Sequence, residues 1–405
     1  MNQMAHDPTS GAARNMRAIA EVLASAGFRV RALTTSATES SAGLDAQGIL
    51  AAEGIAASRA HDPAVGAPVL RFRDRGIDHV VLDVGIAAPQ SWEPSMGRAF
   101  DLLVREELES FVPEIVFTFG AFENEMRRRI AARRRGATIV FALQNLSYLD
   151  PRAFVGVDAV LSVSQFVAAA YRHRIGLESE VLPPVLTMED VLVEPGVGSH
   201  RCLTFVNPTK AKGVMFFARL ADELSRSRPG LPMLVVEARG TAADLLEAGK
   251  AGGIDLAVHK NIVVSKPVAR PRQFLAPTRV LVAPSPWPEA FGRVAAEAMV
   301  NGIPSVVADR GGLPEAAAGG GYILPIPDDF TPETDQPVSP DAVRRWRDTI
   351  LMLMDDEAAY AAASARAREA GRRYLPESVR PRILTFFARV CRAPGDTMGP
   401  FSKGP

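Results

Sequence analysis

The sequence predicts an α/β protein of two facing Rossmann-like domains, each a central parallel sheet flanked by helices. At 405 residues the chain is too long for one hydrophobic core and long enough for two or three domains. Short apolar runs alternate with amphipathic, Ala-rich stretches, which is the rhythm of strand–helix–strand units around a mostly parallel sheet. The rhythm breaks once, near Pro183-Pro184, and then restarts.

In the first half, Met16, Ile19, Ala20 and Leu23 recur at helical spacing, and Gly27 stops that helix. Strands are predicted over 28–33, 79–84, 114–119, 137–143 and 159–163, with helices over 97–110 and 123–135 among those between them. A Glu/Pro/Gly-rich stretch ending at His200 reads as a linker. The second set of strands is predicted over 203–206, 233–237, 262–264, 279–283, 305–308 and 322–326. A Pro/Asp/Thr-rich loop and three helices follow. The layout is an N-terminal domain over 1–185, a linker over 186–200, a second domain over 201–375, a last helix over 376–392 and a disordered tail over 393–405. The last helix carries Ile383, Leu384, Phe387 and Val390 on one face.

Composition excludes several classes. Hydrophobic residues make up 47% of the chain and charged ones 23%, ordinary globular values. Net charge is +0, so no strong field favours nucleic acid. Cys202 and Cys391 belong to no C-x-x-C pair, which argues against a disulfide framework or structural zinc. The histidines (His6, His61, His79, His173, His200, His259) are scattered without metal-type spacing, so no metal is expected. No apolar run is long enough to span a bilayer, and the first residues show no leader pattern. The expected location is the cytoplasm. Arg127, Arg128, Arg129, Arg133, Arg134 and Arg135 cluster on one helix and read as a solvated face. Peripheral contact with the inner face of the membrane stays open, as does the oligomeric state.

Residues 278–315 carry the chemistry. A strand runs into a Pro-rich turn, and a helix starts near Phe291-Gly292 and ends at Asn301-Gly302. Glu289 precedes the helix, and Glu297 is placed about two turns inside it. A helix N-terminus offers unpaired N–H groups and a positive dipole end, which suits a diphosphate. Gly292 lets the backbone approach closely. A carboxylate before the helix would hold sugar hydroxyls, and one further along would accept from a ribose diol.

These residues resemble a known family. Glu289 and Glu297 form a Glu-x7-Glu pair inside E-A-F-G-x-V-x-x-E-A-M-x-x-G-I-P, followed by G-G-L-P-E. That is similar to the signature of the family 4 (group 1) retaining glycosyltransferases, which have the GT-B fold. The resemblance implies that Glu289 contacts the donor sugar and Glu297 the ribose. The backbone at Phe291, Gly292 and Val294 would hold the diphosphate. F-V-N-P-T-K-A-K-G (205–213) is similar to the loop where the family carries an arginine and then Lys-Gly. Lys212 matches that lysine, which would offset charge on the leaving diphosphate. Asn207 stands where the arginine is usual, with Lys210 or Arg310 as substitutes.

The first domain departs further from the family. D-P-T-S-G-A-A-R-N (7–15) resembles its glycine-rich loop, with Gly11 near the donor phosphate; an N-cap turn explains the same residues. In F-A-L-Q-N-L-S-Y-L-D (141–150), Gln144 or Asn145 stands where many members have a sugar-contacting histidine. The family's glycine-rich loop also follows an apolar strand, whereas M-N-Q-M-A-H has no apolar run. The expectation is that the full chain starts upstream.

By resemblance the activity is hexosyl transfer with retention, from a nucleoside-diphosphate sugar to an acceptor hydroxyl, in polysaccharide or surface-glycan biosynthesis. The acceptor would be a glycan or lipid-linked, and no cofactor beyond the donor is implied. In the last helix, the resemblance implies a crossing back to the first domain. Three alternatives remain: a nucleotide-sugar-binding GT-B protein without transferase activity, a nucleotide-sugar epimerase or phosphorylase, and a nicotinamide oxidoreductase. The last lacks a G-x-G-x-x-G after a strand.

Overall fold

The computed structural model describes residues 3–7, 10–39, 45–88, 94–120, 123–194, 196–198, 200–268 and 270–392. Pro8 and Thr9 of the glycine-containing loop, and the expected tail from residue 393, lie outside them. The chain divides into two units, Met1–Val185 with Val379–Pro405, and Leu186–Ser378.

The first unit holds β1 (Val30–Thr35), β2 (Ser58–Asp62), β3 (Ala67–Asp74), β4 (Ile77–Leu82), β5 (Ile115–Thr118), β6 (Thr138–Leu143), β7 (Ala159–Ser162) and β8 (Glu180–Val181). The expected single, mostly parallel sheet is instead two four-stranded sheets. One has the order β5-β6-β7-β8 and is parallel throughout. The other has the order β1-β4-β3-β2, where only β1 and β4 run parallel. β2 and β3 were not expected. β2 reads S-R-A-H-D and is mostly exposed, so it has no apolar alternation to betray it. A two-residue loop, Arg75-Gly76, joins β3 to β4 with φ of 44° and 81°. Both central residues at positive φ make the tight hairpin turn that suits twisted strands.

The helix Gly11–Ser25 starts at Ser10, whose hydroxyl accepts from the Ala13 N–H at 3.4 Å. Its apolar stripe packs Ala18, Ile19 and Leu23 against Val140 of β6 and Leu161 of β7. The helix Pro376–Arg392 joins the same cluster through Val379, Ile383, Phe386, Phe387 and Val390, so the last helix does pack on the first unit. Phe386 belongs to that seam, while Leu384 is only partly buried. Spacing of 4, 3 and 4 residues makes one helical stripe.

The arginine cluster is not a uniformly solvated face. Arg129 is buried, donates to the Ala153 carbonyl at 2.7 Å and lies over the Phe141 ring; burial pushes its guanidinium down to about 10. Arg128 bonds Asp101 at 2.6 Å, Arg133 pairs with Asp158 at 3.0 Å and Arg135 with Glu109 at 2.8 Å.

The second unit holds β9 (Cys202–Val206), β10 (Met233–Val236), β11 (Ile262–Ser265), β12 (Thr278–Ala283), β13 (Ser305–Ala308) and β14 (Tyr322–Leu324). They form one parallel sheet in the order β11-β10-β9-β12-β13-β14. Helices Val214–Ser227 and Pro340–Asp355 meet through Phe216 and the fully buried Trp346, ring centroids 5.2 Å apart. The Trp346 indole N–H donates to the Pro325 carbonyl at 3.0 Å, anchoring the start of the Pro-rich loop. Residues 187–193 are packed into this unit rather than tethering freely. Met188–Val191 is a short helix with Val191 buried, and the Val193 N–H donates to Asn301 Oδ1 at 2.9 Å.

Candidate functional site

In the second unit the strand order turns around between β9 and β12: successive strands run outward from β9 to β11 on one side and from β12 to β14 on the other. Loops leaving a parallel sheet on either side of such a reversal must diverge and open a crevice at the strands' carboxyl ends. The loop after β9 carries Lys212, the loop after β12 carries Glu289, and the loop after β13 carries Gly311 and Gly312.

These loops interlock. Lys212 Nζ lies 2.8 Å from Glu289 Oε2. The Ser285 hydroxyl donates to the Ala211 carbonyl at 2.6 Å. The Gly312 N–H donates to the Glu289 carbonyl at 2.6 Å, and a Cβ on Gly311 would sit 2.5 Å from the Glu289 nitrogen. The G-G pair is therefore a packing requirement: it lets one backbone press against the residue that bears the carboxylate. Glu289 is buried beside the only partly exposed Lys212, so the pair is held rather than dangling.

Directly after Glu289 comes Phe291, buried, with its ring edge-on to Tyr374 at 5.6 Å. Gly292 has φ 97° and ψ 49° and caps the helix Arg293–Val300. The φ of 97° is what demands glycine; a Cβ there would also come 2.6 Å from Leu313 Cδ2 and have to displace that side chain. Glu297 is the fifth of the helix's eight residues, a little over one turn in rather than the two expected. It is buried, and Arg293 Nε donates to its Oε1 at 2.8 Å. Val294 lies in the first turn, among the N–H groups without a partner inside the helix.

Asn207 sits at the mouth of the same crevice in a structural role. Its φ is 64°, and its Oδ1 accepts from the Gly240 N–H at 2.9 Å. That bond ties the loop after β9 to the loop after β10. The two substitute cations are engaged elsewhere: Lys210 with Asp335, and Arg310 with Asp328 at 3.1 Å and the carbonyls of Ile326 and Pro327. Glu237, assigned no role from the sequence, ends β10 buried; its Oε1 accepts from the Ala242 N–H at 2.8 Å. That bond, and then Lys266 at 3.0 Å, hold its carboxyl below the usual range. An acidic residue at a strand's carboxyl end just before a helix was the available signal.

The first unit holds Gly11 and Gln144. Gly11 opens the helix Gly11–Ser25 behind its Ser10 cap, and a Cβ there would meet nothing within 4 Å. Gln144 directly follows β6; its Oε1 accepts from Asn15 Nδ2 at 3.4 Å. Asn15 Oδ1 accepts from the Val185 N–H at 3.0 Å. Asn145 is exposed, its Oδ1 accepting from the Ser147 N–H at 2.9 Å.

The histidines are less scattered than their numbers suggest. His6 Nε2 lies 3.3 Å from Asp74 Oδ2, and the His6 and His79 rings are 4.8 Å apart. His79 stacks on Phe72 at 4.6 Å, and burial, then the neighbouring His6, push it down to about 3. Phe72 and His79 are cross-strand neighbours on β3 and β4, and the His6 ring also stands edge-on to Phe72 at 5.4 Å.

Comparison with known proteins decides the second unit. Residues 201–366 match the family model described as glycosyl transferases group 1.

Those residues are similar to a group 1 glycosyltransferase domain.

No curated protein matches the chain by sequence. Among solved structures, the sucrose-phosphate synthase of Thermosynechococcus elongatus has a TM-score of 0.66 at 15% identity, over 96% of this chain and 98% of that one. The Anabaena protein Alr3699/HepE, solved with UDP and glucose, has a TM-score of 0.61 at 17% identity, over 92% and 95%. WaaG, a glycosyltransferase involved in lipopolysaccharide biosynthesis, has a TM-score of 0.61 at 14% identity, over 93% and 96%. At such identities the likeness shows the fold: Rossmann-like α/β units of the GT-B class, as expected. The crevice of Lys212, Glu289, Gly292 and Glu297 lies inside the residues that this family model matches. Among the described residues no helix is long and apolar enough to cross a membrane.

Proposed function

We propose that the chain is a retaining hexosyltransferase that takes its donor as a nucleoside-diphosphate sugar. The observation that carries this reading is the Lys212–Glu289 pair, 2.8 Å apart, beside the helix N-terminus opened by Gly292. One small crevice thus offers a cation and the N–H groups of a helix N-terminus for a diphosphate and a carboxylate for sugar hydroxyls. The backbone at Phe291, Gly292 and Val294 takes the diphosphate and Glu297 the ribose. Lys212 offsets the charge that builds on the leaving group, an electrostatic contribution made in the transition state. No cofactor beyond the donor and no metal enters this scheme. Retention by double displacement would need a free carboxylate under the anomeric carbon. With Glu289 tied to Lys212, front-face attack suits the site better, the departing phosphate taking the acceptor proton.

The acceptor is a glycan or lipid-linked hydroxyl, in polysaccharide or surface-glycan assembly, and the enzyme works in the cytoplasm, peripheral to the inner membrane face. Alr3699/HepE was solved with UDP-glucose, which makes a UDP-sugar the first donor to try. The test is transfer from a panel of nucleotide sugars, followed by NMR of the product's anomeric centre. Retention of configuration is the expected outcome; inversion would sink the mechanism, and failure of every donor to raise the melting temperature would sink the donor site.

A second reading is favoured by Asn207. Asn207 is spent on Gly240, and Lys210 and Arg310 are engaged with other groups, so none of the three supplies the family's second cation beside Lys212. A protein that binds the donor without transferring it would show thermal stabilisation by donor and no turnover.

A further inference from the structure

β3 and β4 form a hairpin in which Phe72 pairs with His79 and Asp74 with Ile77. Alternate residues of a strand share a face, so Asp74 and His79 are diagonal neighbours on one side of the hairpin. His6 reaches the same side from the turn 4–7, which the Asp7 N–H closes on the Met4 carbonyl at 3.2 Å. That turn is anchored three times over. The Met4 N–H donates to the Ala37 carbonyl at 2.8 Å, and Asp7 Oδ2 accepts from Gln3 Nε2 at 2.8 Å and from the Glu39 N–H at 2.7 Å. Among the described residues, His6, Asp74 and His79 are the one group of His, Cys, Asp or Glu side chains that gathers three ligating atoms, all within 4.8 Å of one another.

The two imidazoles are costly where they stand. His79 is 2% exposed, and neither its Nδ1 nor its Nε2 has a hydrogen-bond partner; His6 Nδ1 is buried without one as well. The surroundings are apolar: the His79 ring stacks on Phe72 with 4° between the planes, and Phe72 clusters with Met4, Leu70 and Val81. A neutral imidazole has one nitrogen to donate and one to accept, so burying both unpaired loses their bonds to water with nothing in return. A leucine or phenylalanine would fill the same space without that loss. Phe72 covers a face of the ring, which leaves the edge that carries the nitrogens open towards His6.

The spacing suits an ion better than a hydrogen bond. His6 Nε2 and Asp74 Oδ2 are 3.3 Å apart, beyond the ~2.7–2.9 Å of a charge-assisted bond. Two ligand atoms on a tetrahedral zinc, each ~2.0–2.2 Å from it, stand roughly 3.3–3.5 Å apart. Side-chain rotations that move atoms on the order of 1 Å bring His79 into the same shell. Two imidazole nitrogens and a carboxylate oxygen suit a borderline first-row ion and are a poor set for magnesium or calcium, which take oxygen ligands. The Asp74 side chain is 19% exposed, so water reaches the fourth position. Arg17 and Arg75, whose charges act on Asp74, each pair with Glu21 at 3.4 Å, which offsets them.

We propose that His6, Asp74 and His79 bind one divalent first-row transition-metal ion, zinc in the first instance, with water as the fourth ligand. The ion fastens the turn 4–7 to the β3–β4 hairpin, joining pieces of chain 68 positions apart. It is a structural clamp of the first unit. It uses no group of the Lys212–Glu289 crevice and stands whether or not that crevice transfers a sugar.

The test is calorimetric titration with zinc chloride of the full chain, stripped with EDTA and freed of chelator, at about pH 7.5, where an ordinary imidazole is neutral. One ion per chain is expected, with a dissociation constant of about 1 µM or tighter. His6→Ala and His79→Phe should each weaken binding by about 100-fold or more, and Asp74→Asn by about 10-fold. His61→Ala, at an exposed histidine of β2, should leave it unchanged. His79→Phe keeps a ring against Phe72, and its urea midpoint in EDTA shows whether it folds; His6→Ala, on a turn, carries the test should it not. Bound zinc should slow amide exchange by about 10-fold or more at residues 4–7 and in the hairpin, which an ion loosely held at the surface would not do. Three outcomes overturn the proposal: no saturable binding up to about 100 µM zinc, magnesium bound as tightly as zinc, or zinc binding that survives both His6→Ala and His79→Phe.

Discussion

Lys212 and Glu289 come from loops 77 positions apart, and their meeting depends on two glycines that carry no chemistry. Gly311 lets the loop after β13 press on Glu289, and Gly292 turns the chain at φ 97° into the helix behind it. Gly292→Ala should cost about 1–3 kcal/mol, because an L-residue is forced into a positive-φ conformation. The check is the urea midpoint, and an unchanged value would mean the turn relaxes freely. Lys212→Met should lower kcat by about 100-fold with a much smaller change in donor KM, as expected when an interaction strengthens only in the transition state. A loss confined to KM would assign Lys212 to ground-state binding instead. Both glutamates, the lysine and Gly292 were legible in the sequence, since each sits at a fixed spacing in a strand–turn–helix pattern. The partners were not. Arg293 on Glu297 could be suspected from i, i+4 spacing, but Asn207 on Gly240 joins two loops that no periodicity relates.

Elements show the same division. Strands with a continuous apolar run, such as β6 and β12, are evident because an interior parallel strand is buried on both faces and must be apolar throughout. β2 is mostly exposed and charged, and β3 ends in R-F-R-D, so the hairpin that turns the first sheet antiparallel left only the Arg75-Gly76 signal. The last helix was expected to present Ile383, Leu384, Phe387 and Val390; Phe386 is also buried in the seam with Ile19, Leu23 and Leu161, while Leu384 packs against it only partly buried. Phe386→Ala should therefore cost about 3–5 kcal/mol, and Leu384→Ala distinctly less. Denaturant titration of the two variants measures this, and equal losses would place the seam wrongly.

For the whole molecule, acid stability offers a test of the buried histidine. His79 is pushed down to about 3 when folded, against about 6.5 when unfolded. The unfolded chain therefore binds a proton more readily. The stability associated with neutral His79 is complete above about pH 6.5 and is lost progressively as pH falls from there towards 3. His79→Leu should flatten the fall of the urea midpoint between about pH 6.5 and 4, and an unaltered slope would show that other groups carry it. Donor binding should act on the molecule by mass action. Saturation at about 100 times Kd adds ~2.7 kcal/mol, and Glu297→Ala should remove most of the matching thermal shift.

What the sequence alone determined is whatever one stretch of chain encodes by itself: the α/β rhythm, the strand–turn–helix segment 278–315 and the helix that returns at the end. These are legible because burial on both faces of a strand, or along one stripe of a helix, imposes a period on residue type. Tertiary structure decided the rest. It joined Lys212 to Glu289, gathered His6, Asp74 and His79, buried Arg129, and set β1 and β5 along one cavity. Such contacts depend on which loops share an end of a sheet and which edges lie side by side, and a one-dimensional pattern carries no record of either.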